Sequence, residues 1–136
     1  LGVAMSEYGE NFERGDFLIT NVMQIDPDQG AVVIGNEVRV GQTVRFQVRD
    51  ATTADEDLVE LLGVHRQQAP ATQAALLFSC NGRGTRLFDK PDHDASTVRR
   101  ELGDIPLAGF FAQGEIGPVG GTNFVHGFTA SVACLG

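Results

Sequence analysis

Apolar and polar residues alternate from Val44 to Arg49, with Val44, Phe46 and Val48 set against Arg45, Gln47 and Arg49. A period of two predicts a half-buried strand with one wet face. Upstream, FLITNVMQI (17–25) is rich in β-branched and apolar residues and ends at the turn cluster DPDQG, so it reads as a strand. AVVIGNEVRVGQ follows as two short strands about a Gly-Asn turn. The period then changes. In TADEDLVELLGVHRQQ, Leu58, Leu61, Leu62 and His65 recur at the i, i+3, i+4, i+7 spacing of one helix face. Thr53 and Glu56 fit a capping box, Asp55, Glu56 and Asp57 suit the positive end of the helix dipole, and Pro70 ends the segment.

AALLFSC (74–80) is a continuous apolar run of strand length, as expected of a central strand covered on both faces. A second helix is predicted from Asp94 through Val98 and Leu102, with Arg99 and Arg100 near its C-terminal end and a stop at Gly103 ahead of Pro106. LAGFFA (107–112) reads as a strand, GEIGPVGGTN as a glycine-rich loop and HGFTASVACL as a final alternating strand. The predicted fold is α+β, a mixed and mostly antiparallel sheet with two main helices. The intervening helix permits a parallel crossover between strands 74–80 and 107–112, right-handed by the usual rule. Asn81-Gly82 keeps a rival open, because Asn-Gly between apolar segments signals a two-residue hairpin.

The length of 136 residues fits a single domain over 1–136, burying about two thirds of its unfolded surface. The opening LGVAMSEYGE starts in mid-pattern without a basic region or cleavage site. A piece of a longer protein, not exported by its own N-terminus, is the expectation. Ten Lys and Arg against 18 Asp and Glu give a net charge of −8. That field repels phosphate backbones and anionic lipid, so neither nucleic acid nor a membrane is an expected partner. Nine of the ten cations are arginines, which leaves material for a local anion site. Two cysteines at the ends of apolar runs make no disulfide framework, and a reducing, cytoplasmic setting is the simpler expectation.

If the crossover is parallel, the ends of strands 74–80 and 107–112 share a rim, and an antiparallel last strand brings His126 to it. Cys80, Asn81, Arg83, Glu115, Asn123 and His126 then converge, with Arg86 beside Arg83. Open sheets bind ligands at such rims, where glycines let backbone N–H groups face an anion. Arg83 and Arg86 suit a ligand carboxylate and Glu115 an ammonium group, which makes an amino acid chemically reasonable. Cys80, His126 and Glu115 could instead serve as nucleophile, base and orienter, but no nucleophile elbow accompanies them. Asp92, His93 and Asp94 are consecutive, which suits a helix start in solvent better than one metal coordination sphere. Neither glycine run matches a nucleotide-binding fingerprint. No catalytic residue, metal or cofactor is therefore expected.

The ordered blocks VRVGQTVRFQVRDA (38–51), DEDL, LLFSCNGRG, LAGFFAQGEIGP and HGFTASV resemble the C-terminal FIST domain, FIST C, over about Asp16 to Leu135. The resemblance implies a sensory module of signalling proteins. It would bind a small molecule, amino acids being the suggested class, and couple to a signalling partner without catalysis of its own. Members usually carry an N-terminal FIST domain ahead of this one. Relatives also often show His-Asn followed by Gln before the Thr of the last strand, where this chain has His126, Gly127, Phe128 and Thr129.

Overall fold

The computed structural model describes residues 1–6, 11–13 and 15–136. Its first elements are β1 (Gly2–Ala4), β2 (Phe17–Ile19), β3 (Val22–Asp26), β4 (Ala31–Ile34), β5 (Val44–Arg45) and α1 (Ala51–Gln68). β6 (Ala74–Cys80), a single 3-10 turn (Gly84–Arg86), α2 (His93–Leu102) and β7 (Leu107–Ala112) follow, and then β8 (Glu115–Val119), β9 (Thr122–His126) and β10 (Ala130–Leu135). The α+β expectation holds. The backbone divides into two compact units, residues 1–48 with 116–126 and residues 49–115 with 127–136.

In the first unit β1 lies between β2 and β5, antiparallel to both. The predicted strand 17–25 is in fact two, β2 and β3, and β3 pairs with β4 as a hairpin. No strand forms over 37–40. There Gln42 donates its backbone N–H to the Arg39 carbonyl, and its side-chain oxygen accepts from Arg39 N, closing a turn that uses up the local backbone groups. The alternating run 44–49 pairs with β1 at Val44 and Arg45, opposite Val3 and Gly2. Phe46 and Val48 are 76% and 88% exposed. GEIGPVGGTN is a hairpin between β8 and β9 where a loop is expected from the sequence, with Gly120 and Gly121 both at positive φ, as a type I′ turn requires.

The second unit is a three-stranded sheet in the order β10-β6-β7. β6 and β7 are parallel, with Ala75 opposite Leu107 and Cys80 opposite Ala112, and β10 is antiparallel to β6. Both edges of β6 are therefore taken, so Asn81-Gly82 turns no hairpin. Asn81 N instead donates to the Ala112 carbonyl at 2.8 Å, and the chain enters the 3-10 turn. At Gly109 a side chain would strike the backbone of Leu77, which is why this position of β7 carries none.

One face of this sheet carries the core: Leu58 and Leu62 of α1, Ala75 and Leu77 of β6, and Val98 of α2. Leu61, on the predicted stripe, is exposed instead. Its neighbours Leu58 and Leu62 lie one turn apart and fill the strip of α1 that packs. α1 begins earlier than the sequence signal. Asp50 is its N-cap and accepts from Thr53 N at 2.8 Å, so Thr53 and Glu56 form no capping box and Asp55 stands beyond the first turn. α2 stops where expected, at Gly103 with φ 89°.

Candidate functional site

The chemistry of the second unit is organised around a buried salt bridge. Arg83, 5% exposed, meets Asp94, 6% exposed, through two parallel bonds, Nε to Oδ2 and Nη2 to Oδ1, each 2.7 Å. The fork of a guanidinium matches a carboxylate in this bidentate way. Ser79, pointing inward from β6, donates its hydroxyl to the same Asp94 Oδ2. Remaining donors of Arg83 reach the backbone carbonyls of Ala54 in α1 and Phe128 before β10. His93 joins from the first turn of α2, with Nδ1 3.1 Å from Asp94 Oδ1 and Nε2 3.0 Å from Asp55 Oδ1. Its ring stacks on Phe88 at 3.5 Å.

Burial opposes ionisation of Asp94. The hydrogen bonds from Arg83 and Ser79, the charge of Arg83 and the contact with His93 outweigh that penalty and hold its carboxyl below the ordinary carboxylate value. The sequence pattern placed Asp94 in solvent at a helix start; it lies in the interior instead, because Arg83 and Ser79 supply the partners a buried carboxylate needs.

Beside this network a cavity of about 230 Å³ opens between α2 and β7. Leu77, Leu107, Gly109 and Phe111 give it an apolar floor and wall, and Ser79 and Asp94 border it with groups already committed to one another. Asp92 and Arg99 complete the mouth. Both are exposed, and among the described residues neither side chain has a hydrogen bond or ion pair. Asp92 is the N-cap of α2, in a left-handed conformation with φ 54°, and Arg99 lies in its last turn. Gly84, at φ 56°, packs beneath the Phe111 ring.

The residues singled out in the sequence fall into three groups. Cys80, Arg83 and Glu115 share the second unit and meet around Phe128 and Thr129. Cys80 N donates to Thr129 O, Arg83 reaches Phe128 O, and Glu115 Oε2 accepts from Thr129 N and Oγ1 at 3.3 and 3.0 Å. Glu115 is 2% exposed, and its other oxygen, Oε1, has no partner among the described residues. Cys80 is buried, with Sγ accepting from Gly82 N at 3.4 Å. Asn81 and Arg86 belong to the same unit and are exposed. Asn123 and His126 belong to the first unit, on β9, where His126 Nε2 lies 2.8 Å from Gly117 O. His126 therefore ends β9; the last strand starts at Ala130.

Sequence reasoning missed Arg49. Its guanidinium lies 3.0 Å from the centroid of Phe128, and partial burial lowers its pKa while nearby Cys80 acts the other way. Phe128 takes a left-handed φ of 67°, rare for a bulky residue, and its ring fills the space a side chain at Gly82 would need.

A family model for the FIST C domain matches residues 1–118, so the chain belongs to the FIST C domain family. That family is one of sensory and signal-transduction domains, and the match ends before Phe128 and β10. Among curated proteins, the chain is 54% identical over 136 residues to proteins of two Mycobacterium tuberculosis strains, and 52% identical to one of Mycobacterium bovis. These alignments cover 98% of this chain and 35% of each relative, so it spans about a third of their length. All three carry the name uncharacterized protein. No solved structure matches.

Proposed function

We propose that this is a cytoplasmic sensory domain that binds a free amino acid in the cavity between α2 and β7, passes its occupancy to a signalling partner and carries out no catalysis. One observation carries the reading. An apolar cavity has at its mouth one cation, Arg99, and one anion, Asp92, neither engaged by a described residue. A zwitterion needs both signs close together, and a guanidinium grips a carboxylate through two N–H bonds. Arg83, the arginine the sequence suggests for that task, supports the site from behind by holding Asp94.

Calorimetric titration of the 136-residue chain with a mixture of amino acids tests this. Binding is expected, weakened about tenfold to a hundredfold in Arg99→Gln, the loss of one charged hydrogen-bonding partner. Heats that are absent, or unchanged in the variant, contradict it.

A second reading rests on Glu115. A buried carboxylate oxygen without a donor is uncommon, and a ligand ammonium group would satisfy Oε1. In that arrangement the amino acid sits at the rim near Thr129, with the exposed Arg49 or Arg86 facing its carboxylate.

A further inference from the structure

We infer that the cavity selects amino acids with branched aliphatic side chains, of valine to leucine size; this rests on the cavity being the ligand site.

The floor offers Leu77, Leu107 and Gly109, with Phe111 as one wall. The side chains at its inner border have no free donor for a ligand: the Ser79 hydroxyl donates to Asp94, and the His93 nitrogens face Asp94 and Asp55. A ligand carboxylate or amide carbonyl inserted there would leave water without gaining a side-chain donor, which is the costly case for a buried polar group. An aliphatic group incurs no such penalty and covers apolar surface. The cavity volume of about 230 Å³ has room for an aliphatic side chain of valine to leucine size. The floor cannot shrink by ordinary substitution at Gly109, since any side chain there meets the Leu77 backbone rather than entering the cavity. Phe111 is the adjustable wall. It is about half exposed and outside the core cluster, so its truncation alters the cavity without removing a core contact.

The test is calorimetry of the 136-residue chain with leucine, glycine, glutamine, aspartate, lysine and tryptophan titrated singly, together with 4-methylpentanoate, which keeps the side chain and carboxylate but lacks the ammonium group. Leucine is expected to bind at least about tenfold more tightly than each of the others, the discrimination an apolar pocket gives for a few methylenes. Phe111→Ala should weaken leucine by a similar factor and leave glycine unchanged, with an unaltered melting temperature confirming that the variant folds. Glutamine, aspartate, lysine or tryptophan binding as tightly as leucine overturns the selectivity while leaving amino acid sensing intact. 4-Methylpentanoate matching leucine overturns the role of the ammonium group. If no amino acid binds, the sensing reading fails, and the selectivity with it.

Discussion

Arg83 and Asp94 show how far one pair of residues can be read from their neighbours in sequence. CNGRG suggests a loop arginine open to a ligand, and PDHD suggests solvated helix-start carboxylates. Each residue is the other's partner, 11 positions apart, and that pairing is invisible to local pattern. Removing one member leaves a buried charge uncompensated, and such losses cost about 3 to 5 kcal/mol. Asp94→Asn is therefore expected to lower stability in urea denaturation by about that range. The pH dependence follows from the lowered pKa of Asp94. Its folded value lies below its unfolded one, so the unfolded chain binds the extra proton between them. The contribution of Asp94 to stability is complete above the unfolded value, about 3.9, and is lost as pH falls through the folded value. Urea midpoints between neutral pH and pH 3 should fall less steeply for Asp94→Asn than for the parent; parallel curves would contradict the assignment.

At the scale of elements, the strands and helices that pack were the legible ones. The runs 74–80 and 107–112 appear as β6 and β7 with those bounds and in parallel, because an uninterrupted apolar run flanked by breakers has few ways to be buried. The stop of α2 at Gly103 was legible for a local reason, a positive φ that glycine adopts freely. Alternation alone did not mark the strand's extent: residues 44–49 alternate throughout, and the pairing with β1 covers Val44 and Arg45. Gly120-Gly121 carried a hairpin signal that the loop reading passed over. On α1 the sequence could not say which of three leucines packs. The structure separates them, so Leu62→Ala should cost about 2 to 5 kcal/mol as a core truncation, while Leu61→Ala should change stability by no more than about 0.5 kcal/mol. Equal losses in urea denaturation would show that α1 is rotated from the orientation described.

For the whole molecule, the two units differ in what they offer. The second holds the helices, the buried network and the cavity. The first is built of short strands and hairpins with many exposed apolar residues, among them Met23, Ile25 and Val40. Family membership gives the functional class, and the curated relatives, about three times as long, carry no named activity to transfer. No described helix is long and apolar enough to cross a membrane. The rim convergence expected from sequence is partly visible within the second unit, where Cys80, Arg83 and Glu115 gather about Phe128 and Thr129. What the sequence left unread was the cavity, because it depends on how α2 lies across β7.

The most direct measurement is an amide chemical-shift map of the 136-residue chain titrated with leucine. Binding between α2 and β7 predicts saturable shifts concentrated at Asp92–Arg99 and Leu107–Phe111. Shifts centred on Glu115 and Thr129 would move the site to the rim, and a spectrum unchanged at millimolar leucine would contradict ligand sensing by this cavity.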